Sequence, residues 1–199
     1  MKLILNIFLI ALLSHLSSAH AEAYASVDSF LRGISSEAQA RCPNLRKLSE
    51  RFEVEGKAAE AESTRQAVKN MCECMPAQVQ VAFSTLPPSE LNSKVSETNF
   101  LKRFKPQIID KCAAEQFKAT FSDGCPERMA KISSNSKGYC TCWTRELEEL
   151  SDTDIADMGI AAADYIPRAA EAKKKGLPSP EQAPLMKRFF AIDALCKSK

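Results

Sequence analysis

Met71-Cys72-Glu73-Cys74-Met75 is the densest set of reactive side chains in this sequence, two thiols flanked by two thioethers. As thiolates, the cysteines are soft ligands suited to Cu(I), and Met71 and Met75 would complete the set. As a dithiol, the pair could exchange disulfides with a client. Both chemistries need thiolates, which form where cations, His⁺ or a helix N-terminus lower the pKa. Glu73 lies between the cysteines and works against that. Cys140-Thr141-Cys142 is a second such pair, with Tyr139 and Trp143 where the methionines stand. Lys69 and Lys137 are the only basic neighbours of the two pairs. Met75 also fits an apolar helical stripe. Structural disulfides are the preferred reading, and a thiol–disulfide or Cu(I)-handling function at Cys72 and Cys74 is the alternative.

Other chemistries find less support. Both histidines, His15 and His20, lie in the N-terminal segment. If that segment is removed, no Ser-His-Asp triad, Cys-His dyad or histidine-containing zinc site can be built. Ser134-Asn135-Ser136-Lys137 has the Ser-x-x-Lys spacing of penicillin-recognising enzymes, but Ser-Asp-Asn and Lys-Thr-Gly boxes are missing from the sequence. Glu148 and Glu149 form an acidic pair of a kind common on solvated helix faces. No catalytic residue and no cofactor is therefore assigned.

The N-terminal segment reads as a signal peptide over residues 1–21. Lys2 precedes an apolar run from Leu3 to Leu16, and Ala19-His20-Ala21 supplies small residues at a cleavage site after Ala21. A run of that length is shorter than the roughly 20 residues that span a bilayer. The mature chain is expected to be a periplasmic or secreted protein with no membrane span. Without Lys2 the 27 Lys and Arg become 26, against 25 Asp and Glu. That near-neutral balance argues against a nucleic-acid partner.

All eight cysteines follow the signal, as expected of a protein oxidised after export. They repeat one order twice: Cys-Pro, Cys-x-Cys, then a single Cys. Cys42, Cys72, Cys74 and Cys112 make the first set, and Cys125, Cys140, Cys142 and Cys196 the second. The first and last members are offset by 83 and 84 residues. Leu101-Lys102-Arg103-Phe104 before Cys112 is echoed by Met186-Lys187-Arg188-Phe189 before Cys196. The domains expected are an N-terminal helix with repeat 1 over 22–118 and repeat 2 over 119–199, which could form one continuous domain. The cysteine order resembles that of small helical periplasmic proteins, a likeness that brings no functional residue with it.

The elements that must hold these cysteines read as helices. Val27, Phe30, Leu31 and Ile34 share a helical face after Ser26, a candidate N-cap. Cys72, Met75, Val79, Phe83 and Leu86 recur at three- and four-residue steps, as do Tyr139, Trp143, Leu147 and Leu150. Ser179, Pro180 and Gln182 read as the capped start of a last helix striped by Leu185, Phe189, Ile192 and Cys196. Pro106 should kink or restart the matching helix of the first set. The Ala- and Glu-rich stretch from Phe52 to Ser63 should extend a helix. No stretch alternates with a period of two. The expected fold is all-α, a disulfide-stapled bundle of two tandem three-helix units.

Residues two apart on an α-helix point about 200° apart, so each Cys-x-Cys can reach two different neighbours. That predicts pairing within each set and leaves four connectivities open. With the cysteines assigned to the scaffold, the function expected is non-enzymatic binding. An inhibitor or immunity-type protein acting on another exported protein is its most concrete form. The binding surface is expected between Tyr165 and Gln182, at Tyr165, Arg168, Lys173, Lys174, Lys175 and Leu177, since exposed connections carry binding functions. Met158-Gly159-Ile160-Ala161-Ala162-Ala163 is read as core packing.

Overall fold

The structure is a computed structural model that describes residues 24–122, 125–130 and 134–198, without the side chains of Ala59 and Arg128. The expected signal peptide and its cleavage site lie outside the described residues. Most of the described chain is helical. In order it forms β1 (Tyr24–Ser26), α1 (Val27–Val54), α2 (Ala58–Val68), a π-helical segment (Lys69–Cys74), α3 (Met75–Thr85), α4 (Pro88–Leu91) and β2 (Lys94–Ser96). There follow α5 (Glu97–Lys105), a second π segment (Pro106–Asp110), α6 (Lys111–Ala119), α7 (Cys125–Met129), α8 (Ser136–Glu148), α9 (Asp152–Lys174) and α10 (Pro184–Lys197).

Contacts divide the chain into two compact units, and the division falls inside α6 between Cys112 and Ala113. Cys112 packs in the first core and Ala114 in the second.

In the N-terminal unit the main core joins Val27 and Leu31 of α1 to Met75 and Val79 of α3, Phe100 and Phe104 of α5, Ile108 and Cys112. Phe30 stacks on Phe100 with centroids 4.7 Å apart. A smaller cluster of Ala38, Leu45 and Met71 holds the far half of α1 against the α2 side of the unit. Among the described residues, the two short strands depart from an all-helical description. They pair antiparallel, with Ala25 opposite Val95. Each ends in a serine that caps the next helix: Ser26 Oγ accepts from Ser29 N at 3.1 Å and Ser96 Oγ from Asn99 N at 3.3 Å. An N-cap residue must be extended, so two adjacent helix starts place two extended segments side by side.

The stretch from Phe52 to Ser63 does not extend one helix. Gly56 adopts φ +67°, a conformation that ends α1 and turns the chain into α2. An ion pair between Arg65 of α2 and Glu53 of α1 spans this turn. Beside it, Lys57 and Arg51 hold the Glu55 carboxyl down to about 2.

Two prolines explain the two π segments. Pro76 has no N–H for the Cys72 carbonyl, and Met75 N instead donates to Asn70 O, five residues back. Pro106 likewise ends α5 and opens the second segment, the restart expected from the sequence. There Lys105 Nζ pairs with the buried Asp110 carboxylate at 2.6 Å, from five residues away. On an α-helix, at about 100° per residue, those positions would diverge; the wider π turn brings them together.

Gly33, in the exposed face of α1, has no atom within 4 Å of where a Cβ would stand. Gly33→Ala is therefore expected to raise stability by about 0.5–1 kcal/mol. Urea denaturation checks this, and a lower midpoint would contradict it.

In the C-terminal unit the core gathers Phe121, Cys125, Tyr139, Cys140, Cys142, Trp143, Leu147, Ile155, Met158, Ile192 and Cys196. Met158, Ala162 and Ala163 are buried, and Gly159 lies so close to Phe117 that a Cβ would meet its ring at 3.2 Å. The small-residue run serves close packing. Ser151 caps α9, accepting from Asp154 N at 3.1 Å. The end of α9 is closed by Gly176 at φ +65°, with Leu177 N donating to Ala172 O and Gly176 N to Lys173 O. That is the Schellman arrangement.

The last helix starts at Pro184, not after Ser179. A helix capped by Ser179 would place Pro184 in its interior, where the ring clashes with the carbonyl four residues back. Ala183 before the proline is extended, at ψ 155°, as that position prefers.

Candidate functional site

The Cys-x-Cys pairs are not dithiol sites in this structure. Four disulfides form, Cys42–Cys72, Cys74–Cys112, Cys125–Cys140 and Cys142–Cys196, and no described cysteine is free. Each pair splits between two partners. Cys72 reaches back to α1 and Cys74 forward to α6; Cys140 reaches back to α7 and Cys142 forward to α10. The second pair sits on an α-helix, where opposed directions follow from the 100° step. The first sits in the π segment, yet diverges in the same way. Met71 and Met75 are buried in separate apolar clusters. With both sulfurs of Cys72 and Cys74 bonded, the four-residue Cu(I) set has no thiolate to offer in this oxidised form. Among the described residues no group of three or more His, Cys, Asp or Glu side chains is placed to hold a metal ion.

The expected binding surface is only partly a surface. Tyr165 is buried, packed edge-on against Phe190 at 5.7 Å and accepting from Gln182 Nε2 at 3.4 Å. The reason is that α9 continues through Pro167 to Lys174, so Tyr165 lies on its inward face with Ala162, clustered with Met186 of α10. The irregular connection is consequently confined to 175–183. Arg168 pairs with Asp164 at 2.8 Å and Lys175 with Glu171 at 2.7 Å, both within the helix surface. Lys173 and Lys174 are exposed. Leu177 is 58 % exposed, directly after the Schellman turn.

Sequence periodicity gave no hint of a polar chain that runs from the C-terminal core to the surface. Tyr139 on α8 donates to Asp193 Oδ1 on α10 at 2.6 Å, and Lys197 Nζ donates to Asp193 Oδ2 at 2.6 Å. Burial, then the bond to Asp193, pushes the Tyr139 hydroxyl far above its usual range, with Trp143 opposing in part. Because the folded value is raised, the stabilisation is complete below the unfolded tyrosine value of about 10 and is lost as pH climbs beyond it. Tyr139→Phe should cost about 1 kcal/mol at neutral pH, since Asp193 keeps Lys197. The wild type should then lose stability above about pH 10 faster than the variant. Parallel denaturation curves at neutral and alkaline pH check this, and equal slopes would contradict it.

Periodicity also missed a surface hollow of about 340 Å³ beside the Cys42–Cys72 bridge, lined by Gln39, Cys42, Pro43, Arg46, Cys72 and Pro76. Of its lining, Cys42-Pro43 and Cys72 stand out in the sequence, but no periodicity places them together. Pro43 cannot donate to the Gln39 carbonyl from inside α1.

The fold and its bridges define an all-α, disulfide-linked protein. No helix among the described residues is long and apolar enough to cross a membrane. Four disulfides fit an oxidising compartment. No family model, curated protein or solved structure matches the chain.

Proposed function

We propose that this is an exported, non-enzymatic interaction protein of inhibitor or immunity type, whose partner is another exported or periplasmic protein. In this reading the signal peptide is cut near Ala21 and the two units are tandem copies of one three-helix plan. The copies are supported by matching bridges and by matching core positions. Phe104, Ile108 and Cys112 are buried or packed in one unit as Phe189, Ile192 and Cys196 are in the other. Met75 and Val79 follow the first Cys-x-Cys as Trp143 and Leu147 follow the second, all buried.

The observation that carries the interaction reading is Leu177. It is a large apolar side chain held in solvent on a Schellman turn, so its position is fixed before any partner arrives. Lys173 and Lys174 stand exposed one turn earlier. An apolar anchor beside cations fits an apolar pocket with an acidic rim, and a preordered anchor loses little entropy on binding. The test is affinity capture from the exported fraction of the source cells, comparing wild type with Leu177→Asp. One partner retained by the wild type and weakened about tenfold by the variant is expected, the range of a buried anchor. Equal retention by both proteins would overturn the placement of the surface, and no specific partner would overturn the function.

A further inference from the structure

We infer that the Cys42–Cys72 bridge is a thiol-exchange site that accepts an anionic low-molecular-weight thiol. This inference is independent of the surface at Leu177. Cys42 and Cys72 are both half-buried, whereas each of the other bridges has at least one fully buried cysteine: Cys112, Cys125 with Cys140, and Cys142 with Cys196. Accessibility governs attack on a disulfide. The hollow of about 340 Å³ opens on this bridge, leaving room for a small thiol beside the sulfurs. Its only charged lining residue is Arg46. Arg46 is exposed and makes no ion pair among the described residues, and it follows Cys42 by one helical turn on α1. A cation placed there favours the Cys42 thiolate and attracts a carboxylate-bearing thiol. Glu73, exposed next to Cys72, disfavours negative charge on that sulfur instead. The two charges thus set the direction of the reaction.

The incoming thiolate bonds to Cys72 Sγ, and the Cys42–Cys72 bond breaks with its electron pair left on Cys42 Sγ beside Arg46. The product is a mixed disulfide at Cys72 and a thiolate at Cys42. A second equivalent of thiol attacks the small-molecule sulfur, releasing Cys72 as a thiolate. Two thiols are oxidised to one disulfide, and their two protons go to Cys42 and Cys72. The structural consequence is local. The far half of α1 is held by the small Ala38, Leu45 and Met71 cluster, while Leu31 and Val27 stay in the main core beside the Cys74–Cys112 bridge.

The probe is reduced glutathione, set against cysteamine, a cationic thiol, at equal thiolate concentration. Native protein is treated with each, quenched, alkylated and mapped by mass spectrometry. Glutathione is expected on Cys72 with alkylation on Cys42, about tenfold above any other cysteine, as accessibility would impose. Glutathione should also react several-fold faster than cysteamine. Arg46→Gln should remove that preference while leaving the helical circular dichroism unchanged. Simultaneous opening of all four bridges, first attack at another bridge, or a preference unaffected by Arg46→Gln would each overturn the inference. Cys42→Ser with Cys72→Ser is the control: it should fold and lose the early reaction.

Discussion

Trp143→Ala is expected to lower the unfolding free energy by about 3–5 kcal/mol, the range for emptying a large aromatic site in a packed core. Trp143 has 0 % exposure. Its ring stacks on Phe121 at 4.4 Å and lies 5.2 Å from Phe189. The indole therefore links α8 to the segment before α7 and to α10, and alanine would leave a void bounded by three elements. Trp143→Phe should cost clearly less, because a ring remains between the two phenylalanines. Urea denaturation followed by far-ultraviolet circular dichroism measures both. A cost for alanine below about 1 kcal/mol would mean that these neighbours collapse into the space freely.

Removing the Cys142–Cys196 bridge with paired serines is expected to cost about 4 kcal/mol, since it closes a separation of 54 residues. The Cys125–Cys140 bridge, with a separation of 15, should cost about 3 kcal/mol by the same chain-entropy argument. The larger loss has a second source. Cys196 is on the last helix, where only Met186, Ile192 and Cys196 are fully buried, so the bridge holds an element with few other anchors. Cys125 sits on a five-residue helix that gives little back when freed. Comparing the two paired variants by denaturant midpoint and slope checks the order. A greater loss from the shorter loop would show that native packing, not chain entropy, sets the effect.

Much of the frame could be read from residue order because its signals are local. Ser26 announced a helix start, Pro106 announced a restart, and the stripes through Cys72 and Tyr139 marked inward faces. Such features depend on neighbours within one or two turns. Failures came where a signal competed with a proline or with tertiary packing. Ser179 looks like a cap, but Pro184 fixes the start of the helix five residues later. Tyr165 looks like a surface residue only if Pro167 ends the helix, and α9 absorbs that proline. The Tyr139–Asp193 bond joins positions 54 apart, and no periodicity reports such a pairing. The hollow at Arg46 depends on Cys42, Pro43, Cys72 and Pro76 meeting across two segments, which only the folded chain brings about.

The order of the bridges carries a kinetic consequence. Taken along the chain, each cysteine joins the next one: first to second, third to fourth, fifth to sixth and seventh to eighth. A chain that emerges from its N-terminus and is oxidised as its thiols appear will form these same pairs. No bridge has to wait for a distant cysteine while a nearer one is unpaired. Reshuffling by thiol–disulfide isomerisation, which takes seconds to hours, has no native step to perform. An oxidant alone is then sufficient to complete the scaffold.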